Sequence, residues 1–122
     1  MLNRQRKSVN GASILVLGVA YKRDTTDVRE SPALDVMQLL VNQGAQLRYH
    51  DPHVRELQLA DKRMKGLVRL GPAQLKAADV VIVVTDHSDF DYDNVVRHAR
   101  VVLDTRNAMA AIKRGRRKIH KL

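Results

Sequence analysis

Cysteine and tryptophan are absent from the 122 residues of this sequence, and aromatic residues make up only 3%. The absence of cysteine excludes disulfides, thiolate zinc sites and a cysteine nucleophile within these residues. Apolar runs such as residues 80–84 are far shorter than the roughly 18 to 20 residues of a membrane helix. Residues 3–7 are polar where a signal peptide would be apolar. We therefore expect one globular, cytoplasmic domain with no membrane segment.

Acidic residues are scarce relative to basic ones, 13 against 22, which leaves a formal charge of +9. The nine excess cations all lie in residues 1–7 and 113–122, which contain no acid, so residues 8–112 are balanced. We interpret residues 1–9 as a basic linker and residues 113–122 as a solvated basic tail. A balanced body has no basic face for duplex binding, and the few aromatic residues form no RNA-binding signature. A nucleic-acid partner is therefore not expected.

Short apolar runs alternate with helical patterns along residues 10–112. The run S-I-L-V-L-G-V at 13–19 is continuous, which indicates a strand buried on both faces. Ser31 and Pro32 are typical of a helix start, and Gly44 of a helix end in a left-handed turn. Further strands are predicted at 46–51, 66–70, 80–84 and 101–103, and further helices at 72–78 and 92–98. The alternation predicts a doubly wound α/β domain, Rossmann-like, with a mainly parallel sheet of about five strands and helices on both faces.

Parallel strands place the segments that follow them at one edge of the sheet, where ligands of such folds bind. These segments are residues 21–30, 51–53, 85–89 and 105–107. The first of them is a long connection with three cations and three acids, and Gly18 before it lacks the further glycines of a G-x-G-x-x-G motif. NAD binding by this domain alone is therefore not expected. An anionic ligand would be held by side chains such as Lys22, Arg29 or Arg106.

Each of these observations has a second interpretation. The charges of residues 21–30 can neutralise one another as a salt-bridge cluster, and Arg106 can be an ordinary surface cation. His50, His53 and His87 lie at strand ends beside acids, which is compatible with a metal site. Asp-Pro and Asp-His pairs at strand ends more often form turns, however.

The motifs at the predicted edge closely resemble one family. They are, in order, G-V-A-Y-K-R-D-T-T-D-V-R-E-S-P-A-L-D-V at 18–36, Y-H-D-P-H-V at 49–54, T-D-H at 85–87 and V-L-D-T-R-N-A at 102–108. Together they resemble the C-terminal, UDP-binding domain of the UDP-glucose/GDP-mannose dehydrogenase family over residues 10–108. Members of this family oxidise the sugar 6-hydroxyl of a nucleotide sugar to a carboxylate by hydride transfer to NAD. The Y-H-D-P and T-D-H motifs are more similar to those of the UDP-N-acetylhexosamine branch than to those of the UDP-glucose branch.

The resemblance implies roles for individual residues. Tyr21 and Lys22 match the aromatic-lysine pair that contacts the substrate, and Arg106 matches an arginine that also reaches it. Arg29 matches an arginine that approaches NAD, which the family binds mainly through another domain. Asp27 fits a residue that orders the loop rather than a catalytic one.

The sequence also lacks several features of the family. The family's thioester-forming cysteine, catalytic lysine and asparagine, and N-terminal dinucleotide-binding domain have no counterpart here. We therefore expect a UDP-sugar-binding domain at 10–112 that is inactive alone and that partners a missing N-terminal dehydrogenase domain, in a full-length enzyme that is a homo-oligomer. The alternatives are a freestanding, non-catalytic nucleotide-sugar-binding or regulatory module and, less favoured, a polyanion-binding domain that acts through its basic tails.

Overall fold

The computed structural model describes residues 10–20, 32–59, 62–87, 90–105, 108–109, 112 and 115–121. The strands in these ranges are β1 (Ser13–Leu17), β2 (Gln46–His50), β3 (Glu56–Gln58), β4 (Arg63–Lys65), β5 (Val80–Val83), β6 (Val102–Asp104) and β7 (Ile119–Lys121). The α-helices are α1 (Pro32–Asn42), α2 (Pro72–Ala77) and α3 (Tyr92–His98), and a 3₁₀ turn spans Arg116–Lys118. None of the helices in the described ranges is long and apolar enough to cross a bilayer.

Five strands form one sheet in the order β2-β1-β5-β6-β7, and every pair in it is parallel. The inner strand β1 lies between β2 and β5, with Val16 opposite both Tyr49 and Ile82. Continuous apolar sequence suits this position because a central parallel strand is covered on both faces. The predicted Rossmann-like architecture is therefore confirmed.

The two faces of the sheet carry separate apolar clusters, because alternate residues of a strand point to opposite sides. Ile14 and Val16 of β1 pack with α1 and with the β3–β4 hairpin. Leu15 and Leu17 pack on the other face with α2 and α3. Helices thus cover both faces, as the alternating pattern predicts.

The helix and turn signals match the structure at several positions. The helix predicted at 92–98 is observed over those residues, and Asp91 caps it by accepting a hydrogen bond from the Asn94 amide at 3.2 Å. After α1, Gly44 adopts the left-handed conformation expected of it, with φ +89°. Ala33 and Met37 of α1 are buried against the sheet.

The strand predicted at 66–70 is wrong. The structure instead forms an antiparallel hairpin from β3 and β4, in which Leu57 opposite Met64 is buried and the flanking polar residues are exposed. Each of these three-residue strands contains a single inward apolar residue, which is too short a pattern for strand periodicity to be recognised. Residues 66–67 lie against β2 instead, where the Leu67 amide donates to the Tyr49 carbonyl at 2.8 Å.

The expectation that residues 113–122 are a solvated tail is wrong for its described part. Strand β7 adds to the edge of the sheet, with Ile119 opposite Val102. Lys118 Nζ donates to the Val96 carbonyl at 3.0 Å, so the ammonium stabilises the carboxyl end of α3. The tail joins the fold because Ile119 packs against the apolar cluster on that face and its cations find backbone acceptors.

Candidate functional site

The candidate site lies at the carboxyl edge of the sheet, where β1 and β5 are neighbours. From β1 the chain passes to β2 on one side, and it later returns to β5 on the other side. This reversal is the switch point at which doubly wound sheets bind ligands. The prediction that segments after separate strands share this edge is confirmed for Asp51, Thr85 and His87, which contact one another or the end of β1.

Asp51, the residue after β2, is a buried carboxylate held by four N–H groups. Its Oδ2 accepts from the Val19 amide at 2.8 Å, the Ala20 amide at 3.2 Å and His87 Nε2 at 2.8 Å. Its Oδ1 accepts from the His53 amide at 2.8 Å. Buried charges are stable only when hydrogen bonds replace water in this way. Asp51 therefore fixes the backbone that leaves β1.

The same position has a different role in dinucleotide-binding domains, where an acid after the second strand binds the ribose hydroxyls. Here the Asp51 carboxylate is fully buried and is surrounded by donors from its own chain. It is not available to a ribose. This agrees with the lack of a glycine-rich motif after Gly18.

Thr85, two residues after β5, holds the opposite side of the same backbone. Its Oγ1 donates to the Ala20 carbonyl at 2.8 Å. Gly18 has φ +84°, and a Cβ on it would lie 2.3 Å from the Thr85 carbonyl oxygen, so only glycine fits there. The Gly18–Ala20 segment is thus held from both neighbouring strands.

Asp104, the last residue of β6, is a second buried carboxylate with a similar function. Its Oδ1 accepts from the Ala108 amide at 3.0 Å and its Oδ2 from the Met109 amide at 2.9 Å. The next residue, Thr105, donates through Oγ1 to the Val83 carbonyl at 2.6 Å. These bonds fix both ends of the turn that follows β6.

The predicted binding residues follow these fixed segments in the sequence. Tyr21, Lys22, Arg29 and Arg106 themselves lie outside the described residues. Lys22 and Arg106 follow strands that are not neighbours, because β5 lies between β1 and β6. At the usual strand spacing the ends of β1 and β6 are about 10 Å apart.

At this edge His50 and His87 donate to acceptors within the chain, and the rings of His53, His87 and Phe90 pack together. His50 Nδ1 lies 2.7 Å from the Leu67 carbonyl, which can only accept, so Nδ1 carries the hydrogen. The His53 and His87 ring centroids are 4.7 Å apart, and Phe90 lies 5.6 Å from His87. No group of three His, Asp or Glu side chains in the described ranges is arranged to hold a metal ion.

The hairpin that the sequence did not predict creates a cleft of about 560 Å³ beside the end of β2. His50, Arg55, Lys65 and Leu67 are among its lining residues. Sequence reasoning also missed the role of Asp104. The available signal was an acid placed directly after an apolar strand and before the turn T-R-N.

Comparison with known proteins identifies this arrangement. The family model described as "UDP-glucose/GDP-mannose dehydrogenase family, UDP binding domain" matches residues 15–111. This range covers most of the chain and all of the edge segments. The chain belongs to this family. The resemblance inferred from the motifs is therefore confirmed.

Individual relatives agree with the family assignment. A UDP-N-acetyl-D-mannosamine dehydrogenase of Campylobacter jejuni is 39% identical over 92 residues, which are 73% of this chain and 22% of the relative. A UDP-glucose 6-dehydrogenase of Rickettsia conorii is 30% identical over 110 residues, 83% of this chain and 25% of the relative. The chain thus spans about a quarter of the length of these relatives.

A solved structure shares the fold. The NDP-N-acetyl-D-galactosaminuronic acid dehydrogenase of Methanosarcina mazei Go1 superposes with a TM-score of 0.77 at 23% identity. The superposition covers 99% of this chain and 26% of that protein.

Proposed function

We propose that this chain is the nucleotide-sugar-binding part of an NAD-dependent UDP-sugar 6-dehydrogenase, which oxidises the sugar 6-hydroxyl to a carboxylate. The observation that carries the proposal is the family match over residues 15–111. The carboxyl edge supports it, since the described backbone on either side of the edge motifs is held by buried polar groups.

The proposed substrate contacts are Tyr21 and Lys22 after β1 and Arg106 after β6. Because β5 separates the ends of β1 and β6, Lys22 and Arg106 can approach a diphosphate from two sides. An arginine presents a forked donor to phosphate, whereas lysine acts as a point charge. The two cations would therefore bind the ligand's charged centre in complementary ways.

NAD does not fit this chain alone. The residues after β1 lack the glycines that let a backbone approach a pyrophosphate, and Asp51 is occupied by donors of its own chain. The proposal therefore assigns NAD mainly to an N-terminal dehydrogenase domain, with Arg29 as this chain's contribution. We expect the purified chain to form no NADH from any UDP-sugar, and turnover by it would contradict this assignment.

The sugar and the assembly are proposed from the same relatives. The relative from Campylobacter jejuni acts on UDP-N-acetyl-D-mannosamine by its name, which supports a UDP-N-acetylhexosamine as substrate. The Rickettsia conorii relative is named for UDP-glucose, which is the alternative to test. A homo-oligomeric full-length enzyme and a cytoplasmic location stay predictions.

Titration of UDP into the ¹⁵N-labelled chain tests the binding proposal. Amide shifts are expected at Tyr21, Lys22 and Arg106. Lys22→Ala and Arg106→Ala should each weaken binding on the order of tenfold, as expected for loss of one charge-assisted contact. The matched control is Arg97→Ala, since Arg97 is an exposed cation on α3.

The same titration separates a specific site from a diffuse attraction of anions to the basic tail. Exposed charges are screened over about 8 to 10 Å near physiological salt, so tail binding should weaken steeply as salt is raised. Arg117, which is exposed in the 3₁₀ turn, provides the tail variant Arg117→Gln. Equal losses for Lys22→Ala and Arg117→Gln, with shifts confined to residues 113–122, would overturn the proposal in favour of a polyanion-binding domain.

A further inference from the structure

The geometry points to Asp51 and Asp104 as positioning residues that set the affinity of the ligand site without touching the ligand. This inference rests on the proposed function, because it concerns the loops that carry the proposed substrate contacts. Both aspartates are buried and both accept hydrogen bonds from backbone amides.

Asp51 acts on the start of the connection that follows β1. Its Oδ2 accepts from the Val19 and Ala20 amides, and Thr85 binds the Ala20 carbonyl. Consecutive Cα atoms are about 3.8 Å apart, so a fixed Ala20 limits the region that Tyr21 and Lys22 can reach. Loss of this anchor would let the loop start from several directions, and only a fraction of them would suit binding.

Asp104 acts on both ends of the turn that follows β6. It is itself the last residue of β6, and its two oxygens accept from Ala108 and Met109. Arg106 therefore belongs to a short segment between residues whose backbone is anchored on each side. In general, holding both ends of a connection lowers the entropy lost when a side chain on it binds a ligand.

The amino end of the sheet supplies a control of the same chemistry. Asp79 Oδ2 accepts from the Ser13 amide at 2.9 Å, and the carboxylate lies 3.9 Å from Arg100. It too holds the backbone of β1, but at the opposite end from the proposed ligand contacts. A purely structural role for these backbone-binding aspartates predicts similar consequences for Asp51, Asp104 and the partly buried Asp79.

The experiment compares Asp51→Asn, Asp104→Asn and Asp79→Asn in the full chain, at a temperature where each is folded. An asparagine at 51 or 104 places an amide NH₂ against one of the backbone donors. We expect amide exchange to accelerate at the amides that lose their acceptor, which belong to the set His53, Val19 and Ala20 in Asp51→Asn and to the pair Ala108 and Met109 in Asp104→Asn. Exchange at these amides should stay at the wild-type rate in Asp79→Asn once global stability is taken into account.

Affinity for UDP, measured by titration of the same samples, gives the second readout. If only about a tenth of the molecules keep the competent loop, the apparent Kd rises about tenfold. We expect this for Asp51→Asn and Asp104→Asn, and no change beyond twofold for Asp79→Asn. Equal affinity in all three folded variants, with a wild type that binds UDP, would overturn the positioning role while leaving the proposed function intact.

The exchange measurement keeps the two proposals distinguishable. A wild type that shows no UDP binding would count against the proposed function of the chain. Localised exchange in Asp51→Asn and Asp104→Asn would still establish that these carboxylates order the loop ends. If exchange accelerates equally at all amides in each of the three variants, the positioning role is overturned, whatever the UDP titration shows.

Discussion

At the carboxyl end of the sheet the described chain buries Asp51, Thr85, His87 and Asp104, whereas the amino end is closed mainly by backbone hydrogen bonds. Before β1 and β2, for example, the Gly11 amide donates to the Gly44 carbonyl at 2.9 Å. Burying a polar side chain costs free energy unless every partner is in place. The comparison teaches that this protein places its buried, hydrogen-bonded polar side chains at the end where its loops are proposed to meet a ligand.

The largest expected effect comes from adding one methyl group at each end. Gly18→Ala should lower the free energy of unfolding by about 3 kcal/mol or more, because its Cβ would meet the Thr85 carbonyl and its φ is positive. Gly44→Ala should cost only about 1 to 2 kcal/mol, since its nearest contact is the movable Asn10 side chain. Urea unfolding of both variants measures the difference. Equal losses would mean that the carboxyl end is no more tightly constrained than the amino end.

Alkaline pH should also act at the carboxyl end, through Tyr49 of β2. Burial raises the pKa of this phenol to about 12, because the charged phenolate is poorly solvated there. The folded state therefore holds its proton more tightly than the unfolded state does. This stabilisation is fully present below the unfolded pKa of about 10 and is lost as pH rises toward 12, by about 2 to 3 kcal/mol.

The variant Tyr49→Phe isolates this titration from those of lysine and other tyrosines. The unfolding free energy of wild type minus that of Tyr49→Phe should fall by about 2 to 3 kcal/mol between pH 9 and pH 12. A difference that stays constant over this range would show that Tyr49 does not titrate with unfolding.

A smaller effect is expected from the His87 hydrogen bond to Asp51. His87→Leu removes the donor and leaves the buried carboxylate with one N–H fewer, which should cost about 2 kcal/mol. His87→Gln can place an amide donor near the position of Nε2, so it should retain more of the stability and keep the slow exchange of the Val19 amide. If Gln and Leu behave alike, ring packing against His53 and Phe90 is the main role of His87.

The smallest effect tests whether the basic tail belongs to the fold. Lys118→Met removes the ammonium that binds the Val96 and Arg97 carbonyls at the end of α3, and should cost about 0.5 to 1 kcal/mol. Arg117→Met is the control, because Arg117 is exposed. Thermal unfolding of the two variants should show a lower midpoint for Lys118→Met alone. Identical midpoints would support the solvated tail predicted from charge.

Much of the fold could be predicted from local patterns. The alternation of apolar runs with helical spacing predicted the parallel sheet with helices on both faces, and the motifs around Gly18, Asp51 and Asp104 led to the family. These signals are local because they depend on strand burial, helix capping and glycine conformation. The hairpin of β3 and β4 escaped prediction because each strand is three residues long.

The arrangement of the site was beyond the reach of local patterns. No local pattern places β5 between β1 and β6, and this order sets the distance between the strand ends that Lys22 and Arg106 follow in the sequence. The charge of residues 113–122 predicted a solvated end, yet Ile119 and Lys118 find partners on β6 and α3. The sequence determines which residues can bury themselves or bind an anion. The folded chain selects their partners, because Asp51 and His87 are 36 residues apart and meet only when β1, β2 and β5 assemble.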